Sequence, residues 1–233
     1  MYTLCGNSTP WRAVTAVGHL EAEHGEPNAY VAYFTDSTSE QDVVDVSELV
    51  PLGVDLPSPL MTVVPIVSRL FSALEHGGVD VGWSGYVVGS GVASRVLHAL
   101  APFVGARRLV DFDITAPPEE PPDRAGSDLF LVTDPEESRL TSWLSSIPDG
   151  SLVALVVPPA GSSPRALNFY DTIHKKSLTL LGHSGAQIPA QQRAVRLGEM
   201  RLDGLASDIP VYDAPGDDGF EPGDHPALIL QWS

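Results

Sequence analysis

The chain has 233 residues, 43% of them apolar, a formal net charge of −17 and a single cysteine. That length suits one domain, or one domain with a small appendage, and lets it bury a core without covalent staples. The acidity argues against nucleic acid and anionic membrane as partners, because phosphate binding needs clustered Lys and Arg.

Cys5 alone cannot form an internal disulfide, and one thiol is too few for a four-thiolate zinc lobe. No run of about 18 apolar residues predicts a membrane span. The N-terminus lacks the charged start and apolar stretch of a secretory signal. A cytoplasmic protein acting on a small molecule is the expectation.

Residues 1–28 show no clear periodicity and read as a small irregular or strand-rich lead-in. Ala29–Phe34 is a β-prone run, and 43–50 is a second candidate strand, followed by a loop over 51–59. Apolar residues at Met61, Val64, Ile66, Val67, Leu70, Phe71 and Leu74 have helical spacing, so a helix is predicted over 60–74, ended by Gly77 and Gly78.

Strands and helices then alternate. Strands are predicted at 85–88, 108–112, 128–132, 152–157 and 178–181. Helices are predicted at 92–104, 135–146, 168–175 and 189–202, with a closing strand at 228–231. Leu152–Val157 is apolar without alternation, as in a parallel strand covered on both faces. The pattern predicts an α/β fold: a Rossmann-like, doubly wound, mainly parallel sheet over 79–233, preceded by a shortened segment over 1–78.

The segment Val87-Val88-Gly89-Ser90-Gly91-Val92-Ala93-Ser94 puts two glycines between a strand and a helix. The first permits a tight turn. The second lets the backbone approach a pyrophosphate, which the helix N-terminus then faces. Gly89, Ser90, Gly91, Val92 and Ser94 are therefore the candidate dinucleotide residues, with Ser94 standing where the pattern has its third glycine. Asp113 ends the next strand, about 20 residues on, where an acid would accept hydrogen bonds from a ribose. The alternative is a Rossmann turn kept for structure after the ligand was lost.

Other candidates carry less specific signals. Thr133 and Asp134 follow the strand ending at Val132, at the carboxyl edge where α/β sheets bind ligands, beside Gly89 and Pro158-Pro159. Tyr170 and His174 are four apart on one helix face and form an acid–base pair candidate, against a reading as ordinary surface. His19, Glu21, Glu23, His24 and Glu26 have metal-ligand chemistry but no ligand spacing, so a solvated face is favoured.

From Ala29 to about residue 200 the order of segments resembles the zinc-type medium-chain dehydrogenases. The resemblance runs through Ala29–Tyr33, Leu56-Pro57 with Val63–Val67, Val88–Gly91, Gly150–Val156 and Asn168–Gly182. It implies an NAD(H) cofactor, a hydride moved to or from a small carbonyl or alkene, and a homodimer joined through the edge strand at Leu178–Leu181.

The chain also departs from that family. The family's N-terminal half is a GroES-like domain of roughly a hundred residues, and this sequence has a shortened or reduced version before Gly89. Cys5-Gly6-Asn7-Ser8 and Gly18-His19 resemble the first two zinc-ligand motifs, but the third position, before Pro65, is Val64. No zinc is expected. Between Asp113 and Asp128 the family fits a helix and a strand. Here residues 114–127 carry Pro117, Pro118, Pro121 and Pro122, which suit neither. Glu119 and Glu120 disfavour a 2′-phosphate, so NAD is preferred to NADP. Two alternatives stay open: a cofactor-free cyclase, isomerase or lyase of a biosynthetic pathway on a decayed dehydrogenase scaffold, and a non-catalytic partner subunit.

Overall fold

A computed structural model describes residues 2–6, 14–20, 29–35, 44, 49–53, 58–112, 129–133, 137–156, 170–181, 211–213 and 227–231. It divides into two compact units: Met1–Phe71 with Ser184–Ser233, and Ser72–His183. The sequence reading places one boundary after Gly78. The chain instead leaves the first unit and returns to it.

The first unit is built on a six-stranded sheet of order β10-β11-β1-β2-β3-β4. Its strands are β1 (Tyr2–Gly6), β2 (Val14–Leu20), β3 (Ala29–Thr35), β4 (Val50–Gly53), β10 (Val211–Asp213) and β11 (Ala227–Gln231). The lead-in is thus strand-forming at β1 and β2. The closing strand does not join the α/β sheet: β11 pairs antiparallel with β1, Leu4 lying opposite Ile229. Most of the second candidate strand, residues 43 and 45–48, lies outside the described residues, and β4 extends from Val50 into the segment read as loop.

A 3-10 turn, Pro59–Val63, runs into helix α1 (Val64–His76). Ser58 caps the turn, its hydroxyl accepting from the Leu60 N–H at 3.4 Å. Leu60–Leu70 is buried throughout, as suits its mostly apolar run. Arg69 is buried as well, its guanidinium 4.9 Å above the Phe34 ring.

The second unit holds a five-stranded parallel sheet of order β6-β5-β7-β8-β9. Its strands are β5 (Ser84–Val88), β6 (Arg108–Phe112), β7 (Leu129–Val132), β8 (Leu152–Leu155) and β9 (Thr179–Leu181). Helices α2 (Val92–Leu100) and α3 (Glu137–Ser146) follow β5 and β7. This is the Rossmann-like α/β architecture the alternation predicts.

One sheet face is a core of Tyr86, Phe112, Phe130, Val132 and Val153 packed with Trp143 and Leu144 of α3 and with Ile147 just beyond it. Tyr86 and Phe130 stack at 4.8 Å, and Phe112 meets Phe130 edge-on at 5.2 Å. Such pairs add about 0.5–1.5 kcal/mol each beyond the area they bury.

Some elements are shorter than their sequence signals. α2 ends at Leu100, and Ala101–Gly105 form turns because Gly105 (φ +79°) reverses the chain. The helix expected over 168–175 is described as one π-helical turn, Tyr170–His174. The predicted helix at 189–202 lies outside the described residues, as do Asp113, 114–127 and Asp134.

Candidate functional site

The sheet's strand order reverses at β5. The next strand in the chain, β6, lies on one side of it, and β7 lies on the other. In open α/β sheets ligands bind at such a switch point, outside the carboxyl ends of the strands. Gly89, Ser90 and Gly91 leave β5 at that end. Gly89 and Gly91 have φ of +116° and +104°, which side chains with a Cβ rarely adopt. Among the described residues, its chain neighbours aside, no atom lies within 4 Å of where a Cβ on Gly91 would project.

Gly91 is the N-cap of α2 and has no side chain to bond the first turn. Backbone N–H groups there lack intrahelical acceptors and carry the positive end of the helix dipole, which suits a pyrophosphate. Val92 is the first residue of α2, within this turn.

Ser94 is buried, and its hydroxyl lies 3.5 Å from Asp111 Oδ1. The same oxygen meets His98 Nε2 at 2.8 Å. Asp111 of β6 therefore receives both the first turn of α2 and its last. The third glycine's usual task is close helix–strand packing; here a small polar side chain bridges the two elements. Sequence reasoning missed His98 and Asp111. The signal was present in part: Ser94 and His98 are four apart on one helix face.

Thr133 sits at the carboxyl end of β7, buried, with its N–H 2.9 Å from the Val88 carbonyl oxygen and its hydroxyl 3.3 Å from the same atom. The described residues therefore bring together Gly89, Gly91, Ser94 and Thr133 around one end of β5.

Tyr170 and His174 lie elsewhere. Their rings stack at 5.3 Å, Lys175 Nζ stands 5.2 Å from the Tyr170 ring, and Lys175 pairs with Asp171 at 2.6 Å. The turn leads into the amino end of β9, where Thr179 N–H donates to Ser151 O at 3.0 Å just before β8. That is the sheet edge opposite the glycine turn.

The residues matching the first zinc motifs do not fit a metal. Leu4 of β1 lies opposite Thr15 of β2, so Cys5 and His19 are displaced in opposite directions from that pair. At strand rise their backbones are about 17 Å apart, and zinc ligands must share one ion at about 2.0–2.3 Å each. His19 is exposed, its ring 5.0 Å from that of Tyr30, and Val64 is fully buried and aliphatic. Among the described residues no group of three or more His, Cys, Asp or Glu could hold a metal ion. No helix among them is long and apolar enough to cross a membrane.

No protein-family model and no curated protein matches the sequence. Solved structures do. Galactitol-1-phosphate dehydrogenase from Escherichia coli is similar over 90% of this chain and 79% of its own, with 16% identity and a TM-score of 0.56. Alcohol dehydrogenase TADH from Thermus sp. ATN1 is similar over 80% of this chain and 63% of its own, with 22% identity and a TM-score of 0.51. A Sinorhizobium meliloti structure bound to NADP, assigned as a zinc-binding dehydrogenase, is similar over 75% of this chain and 60% of its own, with 16% identity and a TM-score of 0.51. The chain spans less than two thirds of the latter two. These likenesses show the fold, which the chain shares with these dehydrogenases.

Proposed function

We propose that this chain is a zinc-independent oxidoreductase that binds NAD(H) across Gly89–Ser94 and acts on a small carbonyl or alkene. The observation that carries the reading is the pair of positive-φ glycines opening α2 at the sheet's switch point. A bound nicotinamide would supply the hydride. The turn's N–H groups hold the pyrophosphate. Asp113, after Phe112, accepts from the ribose hydroxyls. Asp134, next after Thr133 in the sequence, exchanges a proton with the substrate in this reading. Glu119 and Glu120 oppose a 2′-phosphate, so NADH is preferred to NADPH.

In this reading the protein is cytoplasmic, serves a biosynthetic pathway and forms a homodimer through β9. Among the described strands β9 pairs with β8 alone, and Leu180 is exposed there. An apolar sheet edge is a liability that a second copy covers.

The test is a calorimetric titration with NADH and with NADPH, using Gly91→Asp, checked for folding by circular dichroism, as control. Micromolar NADH binding that the variant loses supports the reading. No binding at millimolar cofactor refutes it and favours a second reading, a cofactor-free cyclase, isomerase or lyase, or a partner subunit. One observation leans that way: among the described strands none lies outside β6, where the full doubly wound fold has a further strand on the adenine side.

A further inference from the structure

We propose that Thr133 is a positioning residue for the glycine turn, acting through the carbonyl of Val88; its effect on ligand binding rests on the dinucleotide reading above. The Thr133 N–H and hydroxyl both reach the Val88 oxygen, at 2.9 and 3.3 Å. A carbonyl oxygen has two lone pairs and can accept both.

The N–H bond merely continues the parallel ladder past its last strand pair. The next ladder shows this. Val156 donates its N–H to Val132 O at 2.9 Å in the same way, from a residue with no hydroxyl. Valine suffices where the ladder is all that must be extended. The threonine hydroxyl is therefore surplus to the sheet, and it is directed at the one carbonyl that precedes the turn.

That carbonyl matters because the peptide unit is planar. The Val88 C=O and the Gly89 N–H belong to one rigid plane and point in opposite directions. Glycine occupies positive and negative φ about equally, so Gly89, at φ +116°, offers little intrinsic resistance to a flip of that plane. Two donors on the Val88 oxygen resist it where one would leave it looser. Holding the plane aims the Gly89 N–H and sets the direction in which Ser90 and Gly91 leave the strand. The donors of the turn are then organised before a phosphate arrives, which lowers the ordering cost of binding.

The experiment compares Thr133→Val, which keeps the shape and removes the hydroxyl, with Thr133→Ser, which keeps the hydroxyl. In the ligand-free protein, amide NMR of Thr133→Val is expected to shift or broaden Gly89, Ser90 and Gly91 while leaving Leu152–Leu155 and α3 unchanged. Thr133→Ser restores the wild-type turn signals. By calorimetry NADH affinity falls up to about tenfold in Thr133→Val, the reach of one hydrogen bond, and recovers in Thr133→Ser.

Unchanged turn signals with unchanged affinity in Thr133→Val overturn the proposal. So does a serine variant that behaves like valine, since packing and not the hydroxyl would then be at work. If the wild type binds no NADH, the oxidoreductase reading falls by itself. The amide spectra then decide alone: a selective disturbance of the turn upholds the role of Thr133, and unaltered signals refute it.

Discussion

Ser94 and Asp111 are joined across the face of the parallel sheet, hydroxyl to carboxylate at 3.5 Å, at the position where the dinucleotide pattern has a third glycine. The bond is long, and Asp111 is 72% exposed, so the contact contributes modestly. Replacing Ser94 by glycine restores the full pattern but puts glycine in the first turn of α2, which costs about 0.5 kcal/mol relative to serine. Ser94→Gly is therefore expected to lower the midpoint of chemical denaturation and leave NADH affinity within about twofold. A large gain in affinity would show that the serine obstructs the pyrophosphate instead of bridging α2 to β6.

Gly91 and Gly85 forbid a side chain for different reasons. A Cβ on Gly91 meets nothing within 4 Å among the described residues, but its φ of +104° strains any other residue, at about 1–3 kcal/mol. A Cβ on Gly85 would come within 2.6 Å of the Leu129 carbonyl oxygen in the adjacent strand β7. Gly91→Ala is expected to fold and to bind NADH weakly. Gly85→Ala is expected to lose about 2–3 kcal/mol of stability through the forced separation of β5 and β7. Urea denaturation of both variants checks the two losses; a Gly85→Ala variant as stable as the wild type would contradict the clash with Leu129.

Lys176 closes the carboxyl end of α3. Its ammonium lies 2.6 Å from the Ser145 oxygen, 3.3 Å from the Leu144 oxygen, and bonds the Ile147 oxygen as well. These are carbonyls that a helix end leaves without partners, at the negative end of its dipole. Lys176→Met keeps the stem and removes the charge. We expect a loss of about 1–2 kcal/mol, read from the fluorescence of Trp143 on α3 during denaturation. NADH affinity should be unaltered, because this end of α3 precedes the amino end of β8.

Leu180 marks the edge where a second copy is proposed to pair. Leu180→Lys places a charge on that strand, a device by which proteins block edge pairing. Sedimentation at micromolar concentration is expected to give a dimer for the wild type and a monomer for the variant. A monomeric wild type would remove β9 as an interface.

Local signals in the sequence determined the α/β alternation, the glycine turn and its place between β5 and α2. These features depend on neighbours along the chain. Glycine's φ freedom, the stop at Gly77-Gly78 and the unbroken apolar run of Leu152–Val157 each act within a few residues. Tertiary structure decided the rest, because strand partners are chosen by burial across long sequence separations. Nothing local in 227–231 says that β11 pairs with β1, and β1 and β2 carry no clear alternation. Helical spacing puts Tyr170 and His174 on one face but cannot say which sheet edge receives them. Cys5 and His19 match a ligand pattern in order, yet the β1–β2 register sets them about 17 Å apart. Thr133 was legible as a residue at the right end of a strand. Only the packing of β7 against β5 showed that its hydroxyl reaches the carbonyl on which the turn hangs.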